Sequence, residues 1–453
     1  TLTSCHSHKE RHVIPMLFRL SRGRALEFAA YGLPLASCRA AVAGNCITIL
    51  YHHGWPSCRH EAAFLHPHAL DLGLRVLAIN RPGVGRTSFD PASYSFQSIA
   101  NDVRELLDGL GFDKVVFMGA SGGGPYACAC ACLLPERTSA LCLVAGMAPT
   151  RNAPELRQGM ALSNRLGFMA INHLPVMVGA TLGAGSTLLR LGAVLGMGPM
   201  AAAAWKRAQG DLADVDDVII DGVDGVTKPG LPPTPSPRQQ QQQHGGGHAT
   251  SSISGVSVTR SDESVARSAA DATAHAAEPH NSATVATGSS NRGDRGSGSI
   301  LAPAAAGGAL SATATSLMLL AGGFSSADRA SVARHLRQRP ELLAMMARSG
   351  TEVAMQGFGG LWADMRLTSE PWRLPLERIT APTFIWQGDQ DLNVTMAMAR
   401  HLHNAIPGAR GRLRIVEGAG HISLGLDHGK EVLDELVRQL TQSTGSPPGG
   451  VGG

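Results

Sequence analysis

Lys114-Val-Val-Phe-Met118-Gly119-Ala-Ser121-Gly122-Gly123-Gly124-Pro125-Tyr-Ala-Cys128 joins three local codes in one short stretch. Val115 to Met118 is an apolar, β-branched run of strand length, and Gly119 to Gly124 is a turn. Helical text runs from Pro125 to Leu134. Gly119-Ala-Ser121-Gly-Gly123 thus meets the Gly-x-Ser-x-Gly pattern in the strand–turn–helix setting that gives the pattern meaning. That setting matters, because a chain with 54 glycines matches the bare pattern easily by chance. A serine in such a bend needs small neighbours so that strand and helix can approach closely, and Gly119, Gly122, Gly123 and Gly124 supply the room. The helix N-terminus behind it offers N–H groups and partial positive charge where an oxyanion would form.

Outward from this turn, short apolar runs alternate with helical patterns, as in βαβ units. Strands are predicted at Ile47 to Tyr51, Arg75 to Asn80, Lys114 to Met118, Leu141 to Ala145, Thr383 to Gln387 and Leu413 to Glu417. Helices are predicted at Ile99 to Leu110, Pro125 to Leu134, Met396 to Ala405 and Lys430 to Leu440. The fold class is α/β, a mostly parallel sheet flanked by helices. Between its halves, Thr150 to about Pro371 is read as an excursion, helical wherever it is not disordered, with periodic pieces at Ala327 to Met346 and Thr351 to Leu367. Asp224 to Ser299 is Pro-, Gln-, His/Gly- and then Ser/Ala/Thr-rich and cannot bury enough apolar surface to offset its ordering entropy. The layout expected is a disordered N-terminal tail (1–24), first core part (25–149), first helical excursion (150–223), disordered insertion (224–299), second excursion (300–371), second core part (372–442) and a disordered C-terminal tail (443–453).

A serine hydroxyl needs a base to take its proton, and the base needs a carboxylate to fix its tautomer. His421, in Gly418-Ala-Gly-His421, follows the strand Leu413 to Glu417 on a glycine-bracketed loop. His401, His403 and His428 lie in helical or helix-leading text and read as surface residues. The acid is Asp391 in preference to Asp389, in Gly388-Asp389-Gln-Asp391 after the strand Thr383 to Gln387. No carboxylate stands in Ala145 to Arg151, the other loop able to supply one. His53-Gly54-Trp55-Pro56 follows the strand Ile47 to Tyr51, so the backbone N–H groups of Trp55 and Gly122 are assigned to an oxyanion hole. His53 and Gly54 are read as loop support, with Gly119 and Gly123 in the same role at the elbow.

Composition narrows the classes. The 39 basic and 35 acidic residues give a formal charge of +4 without a dense Lys/Arg cluster, so nucleic acid is not an expected partner. All 8 cysteines fall between Cys5 and Cys142, leaving the second half nothing to bridge to. Cys128, Cys130 and Cys132 are read as buried packing, and neither metal nor cofactor is expected. His244 and His248 are read as incidental to the low-complexity tract. Leu174 to Leu189 and Ile300 to Gly323 are uncharged, but diluted by Gly, Ala, Ser and Thr; a buried or groove-lining role is favoured over a membrane span. The basic stretch Thr1 to Arg24, with Glu10 its only acid, is compatible with a transit peptide, Thr1 stands where a Met would begin a chain, and an intracellular location in cytoplasm or plastid is favoured.

With these residues placed, the chain resembles the α/β-hydrolase family over about Arg24 to Leu440, apart from the insertion. The signposts occur in order: His53-Gly-x-Pro56, Arg81-Pro-Gly-x-Gly85, Gly-x-Ser121-x-Gly, Gly388-x-x-Asp391 and Gly420-His421. The resemblance implies an α/β-hydrolase sheet with a helical cap, attack by Ser121, an acyl-enzyme, hydrolysis by a water that His421 activates, and substrate held between cap and sheet edge. Epoxide hydrolases and haloalkane dehalogenases share His-Gly-x-Pro but carry Asp at the elbow, and epoxide opening uses cap tyrosines. The 4 tyrosines here, Tyr31, Tyr51, Tyr94 and Tyr126, lie outside the cap. Proline iminopeptidases show His-Gly-Gly-Pro where this chain has Trp55. The expectation is an esterase- or lipase-like hydrolase of a small or medium, apolar acyl ester. A peptidase, an acyltransferase and a hydrolase-fold binding module are the alternatives.

Overall fold

A computed structural model describes residues 16–35, 46–194, 218–221, 225–227, 323–339, 349–350 and 352–444. The strands are β1 (Met16–Arg19), β2 (Ala25–Gly32), β3 (Thr48–His52), β4 (Arg75–Ile79), β5 (Val115–Ala120), β6 (Thr138–Val144), β7 (Val218–Asp221), β8 (Gly225–Thr227), β9 (Thr383–Gly388) and β10 (Leu413–Val416). They form one sheet in the order β10-β9-β6-β5-β3-β4-β2-β1-β7-β8. From β10 to β4 every pair is parallel, while β4/β2, β2/β1 and β7/β8 are antiparallel.

The central strands are buried on both faces, which is why they read as continuous apolar runs instead of alternating ones. Their side chains still divide with period two. Leu50, Leu77, Phe117, Leu143 and Ile385 join one core with α2 (Phe96–Leu110), α3 (Gly124–Leu133) and α8 (Met396–Ala405). Ile49, Val76, Val116, Cys142 and Phe384 join another with α1 (His66–Asp71) and α9 (His421–Thr444). Cys128 and Cys130 are fully buried, and burial pushes both thiols up.

The excursion supplies α4 (Leu162–His173), α5 (Pro175–Val194), α6 (Ser326–Gln338) and α7 (Gly359–Ser369). Several expectations need correction. The first 24 residues are not all tail: Met16 and Phe18 are buried and β1 pairs with β2. The excursion is not purely helical, because Val218–Asp221 pairs parallel with β1 and Gly225–Thr227 extends that edge, inside the tract read as disordered. Thr351 to Leu367 is not one helix; helical residues 352–355 are separated from α7 by Gly357 at φ 84°, a left-handed backbone that ends a helix. Val176 and Met177 at the start of α5 are 82% and 64% exposed, so the first apolar stretch is buried only in part. Among the described residues no single helix is long and apolar enough to cross a membrane. The second apolar stretch, apart from Gly323, and His244 and His248 lie outside the described residues.

Candidate active site

Strand β5 ends at Ala120, and Ser121 follows at φ 51°, a left-handed backbone that a residue with a Cβ adopts only at a cost. Packing holds it there. A Cβ on Gly119 would fall 2.5 Å from the Gly123 carbonyl oxygen, and one on Gly123 only 2.0 Å from that of His52. Strand, turn and helix therefore meet backbone to backbone. The Met147 N–H donates to the Ser121 carbonyl at 3.1 Å, tying the turn to the chain beyond β6.

Three residues far apart in sequence converge on this turn. His421 Nε2 is 2.9 Å from Ser121 Oγ, and His421 Nδ1 is 2.8 Å from Asp391 Oδ2. Asp391 is buried; its Oδ1 accepts the N–H groups of Asn393 (2.8 Å) and Val394 (2.9 Å), and its Oδ2 the Gln387 amide (3.2 Å). Asp389 turns elsewhere and accepts the Gly418 N–H at 2.8 Å. His421 is the first residue of α9 and not a loop residue as the glycines suggested. The glycines lie in the turn before it. Burial works against a charged imidazole, but the Asp391 carboxylate, with Asp328 and Glu61 beyond it, outweighs burial and holds His421 above its ordinary range.

The loop after β3 lies beside the serine. The ring of Trp55 packs on Gly122, where a Cβ would stand 1.8 Å from Trp55 Cδ1, and on Phe168 of α4 at 5.8 Å between centroids. Gly122 is the second residue of a helical turn, whose N–H has no acceptor within that turn. The Gly54 N–H is already taken, donating to Glu61 Oε1 at 2.9 Å. His53 is fully buried; its Nε2 accepts the Arg81 N–H at 3.4 Å, which leaves Nδ1 to donate to the Gly54 carbonyl at 2.7 Å. Burial, then the Arg81 charge, hold this imidazole well below its ordinary range.

Arg81 sits under the loop. Its guanidinium donates to the carbonyls of His53 and Gly54, pairs with Asp364 of α7 at 2.8 Å and lies 4.7 Å from the Tyr126 ring centroid. Asp364 also accepts the hydroxyls of Tyr94 and Tyr126. A helix of the excursion and the helix after the elbow thus share one buried network.

A cavity of about 690 Å³ opens onto Ser121 and His421. Phe64, Met118 and Val144 line it from the core, and Leu182, Leu336 and Phe358 from the excursion. Glu61 is its carboxylate, with Oε1 bonded to the Tyr51 hydroxyl at 2.7 Å. Three possible metal ligands also gather nearby, Cys58, His60 and Glu352, with ligand atoms within 4.8 Å of one another. The carboxylate is already paired: Arg59 Nη1 is 2.5 Å from Glu352 Oε2 and His60 Nε2 3.0 Å from Oε1, and despite burial the carboxyl is held down to about 2 by His60, Arg59 and Asn80. The cluster is a self-neutralised network.

Asp328, Glu61 and Asp364 escaped the sequence reading. Only Asp328 had a local signal, since Ser325-Ser-Ala-Asp328 is a capping-box pattern. Asp364 is significant only through partners distant in the chain, Arg81, Tyr94 and Tyr126, and Glu61 through Gly54 and Tyr51, seven and ten residues before it.

A family model described as the α/β hydrolase fold matches residues 47–196, a range that holds the loop after β3, the turn at Ser121 and the strands between them. The match and the sheet order together give the chain the α/β hydrolase fold. It is similar to Epoxide hydrolase 2 of Siraitia grosvenorii, 34% identical over 104 residues that make up 22% of this chain and 32% of that protein. It is also similar to the poly(3-hydroxyalkanoate) depolymerase of Ectopseudomonas oleovorans, 38% identical over 85 residues, 19% of this chain and 30% of that one. This α/β-hydrolase chain thus spans about a third of the length of these two relatives. A solved thermophilic esterase from Thermogutta terrifontis is 13% identical with a TM-score of 0.45, over 94% of this chain and 98% of that one.

Proposed function

We propose that this α/β-hydrolase is a serine esterase that cleaves small or medium apolar acyl esters through an acyl-enzyme. The observation that carries this reading is the unbroken relay from Asp391 through His421 to Ser121 Oγ, with both links at hydrogen-bond length. In it, His421 Nε2 takes the hydroxyl proton as Oγ attacks the ester carbonyl, and returns it to the departing alcohol. A water then enters and gives a proton to the same nitrogen as its oxygen attacks the acyl carbonyl; the bond to Ser121 Oγ breaks, Oγ takes that proton back and the acid leaves. Asp391 keeps Nδ1 protonated and stabilises the imidazolium, while the Trp55 and Gly122 N–H groups receive the oxyanion.

The apolar walls of the cavity favour an apolar acyl group. Epoxide opening, the activity that the name of one relative carries, fits this site less well. Ser121 occupies the nucleophile position, and the hydroxyls of Tyr51, Tyr94 and Tyr126 are committed to Glu61 or Asp364. The test is labelling by a fluorophosphonate probe, with turnover of p-nitrophenyl butyrate by wild type and Ser121→Ala. Labelling and turnover that both vanish in the variant are expected; equal turnover by the two proteins would turn the reading towards a binding module.

A further inference from the structure

Asp328 lies on α6, in the part of the excursion that follows the low-complexity tract, and it is fully buried. Its carboxylate sits across the first turn of α9. Oδ2 accepts the His421 N–H at 3.1 Å, and Oδ1 accepts those of Ile422 at 2.8 Å and Ser423 at 2.9 Å. These are groups that a helix start leaves without intrahelical partners, and the positive end of the helix favours an anion there. Ser325 holds the carboxylate in turn, with its hydroxyl 3.0 Å from Oδ2 and receiving the Asp328 N–H at 3.2 Å. Gly420 makes the approach feasible, since a Cβ there would meet both Asp328 oxygens at 2.4 Å. A turn further on, Asp427 of α9 receives Ser331 (2.9 Å), Arg334 (2.7 Å) and His335 (2.8 Å) of α6, so the two helices are fastened twice.

We propose that Asp328 is the positioning residue of the general base: its carboxylate fixes the helix turn that begins at His421, and with it the place of the imidazole against Ser121. The inference rests on the serine-esterase reading for its catalytic meaning, but its geometric content concerns His421 alone. The imidazole stands on the first residue of a helix entered through Gly418-Ala-Gly420, a turn with little stiffness of its own. An anion bonded to three successive N–H groups removes that slack. It also adds a negative charge near the imidazole, beside those of Asp391 and Glu61. The second part of the excursion thereby becomes part of the catalytic apparatus.

Asp328→Asn keeps the shape but cancels the charge, and turns an amide donor towards N–H groups that need an acceptor. Two readouts decide. In a Ser121→Ala background, the His421 ring proton is titrated by NMR with and without Asp328→Asn, and its midpoint is expected at lower pH in the variant. In the active protein, Asp328→Asn is expected to lower kcat on p-nitrophenyl butyrate about 10- to 100-fold with KM within about twofold, and to move the acid limb of kcat/KM to lower pH. Should Asp328→Asn not fold, Gly420→Ala displaces the carboxylate by collision while keeping it in the chain, and the same direction of titration is expected. An unchanged titration in the folded variant overturns the proposal, as does a fall in thermal stability with kcat per folded molecule intact. Failure of the wild type to react with the fluorophosphonate would sink the esterase reading, yet the titration arm would still decide the placement of His421.

Discussion

At the scale of single residues, the site depends on one strained serine and one close contact. Ser121 at φ 51° is held by backbone packing on both sides, so Ser121→Ala should fold normally and lose only the covalent route. Gly122 is more exacting. A methyl there would collide with the Trp55 ring at 1.8 Å, and Trp55 can yield only by moving the loop that carries its N–H. Gly122→Ala is therefore expected to lower kcat on p-nitrophenyl butyrate about 10²- to 10³-fold, the cost of one misplaced oxyanion donor, and to lower the thermal midpoint as the ring is displaced. A variant within twofold of wild type would remove Trp55 from the oxyanion hole. The pH profile belongs to the same scale. His421 must be neutral to accept the serine proton, and its neighbouring carboxylates hold it above the ordinary value of about 6.5. The acid limb of kcat/KM should accordingly lie above that value and move down in Glu61→Gln, which removes one of the three charges. A limb below 6.5 in the wild type would contradict the electrostatics of the site.

The pieces of secondary structure show what the sequence could and could not convey. The places of Ser121 and Asp391 were legible because β5 and β9 are buried on both faces and such strands read as apolar runs, whereas His421 follows the half-exposed edge strand β10 and was marked by the glycines before it. Strand β1 was not, since Met16-Leu-Phe-Arg19 is four residues long inside a basic stretch and becomes a strand only by pairing with β2. Likewise β7 depends on β1 for its pairing. The start of α9 was misjudged because the glycines before His421 suggested a loop, whereas Asp328, 93 residues away along the chain, supplies the cap. Long-range partners also decide the worth of Asp364. It is the carboxylate that Arg81 meets in the interior, and the desolvated guanidinium is left without it in Asp364→Ala. That change should cost about 3–5 kcal/mol of stability, read as a lower denaturant midpoint. Arg81 also holds the carbonyls of His53 and Gly54, so the folded fraction should lose activity as well. Full specific activity in the folded fraction would confine the network to a purely structural role.

Across the whole molecule, ionisation links the fold and the site in opposite senses. His52 and His53 are fully buried at the end of β3. Burial first, then the Arg81 charge, hold His52 down to about 3 and His53 well below its ordinary range. In the unfolded chain both titrate near 6.5. Their neutrality is therefore fully compatible with folding above that value, and each withdraws up to about 1.4 kcal/mol of stability per pH unit as the pH falls below about 6.5, His52 doing so until about 3. Glu352, held at about 2, adds to the loss below about 4.5. His421 works the other way: its raised value stabilises the fold below about 6.5, and that contribution fades as the pH rises through the folded value. One raised histidine stands against four depressed ones, burial also lowering His66 and His68, and leaves a net loss on acidification. Activity should thus disappear first, when His421 takes its proton, while the fold is still near full stability. Between the two transitions lies a range in which the protein is folded and silent. Return to pH 8 from that range should restore full turnover at once, whereas exposure to pH 4 should lower the thermal midpoint markedly. A thermal midpoint that stays level from pH 7 to pH 4 would mean that the two buried histidines accept protons in the folded state, and with them the rigid seat assigned to the oxyanion loop would be lost.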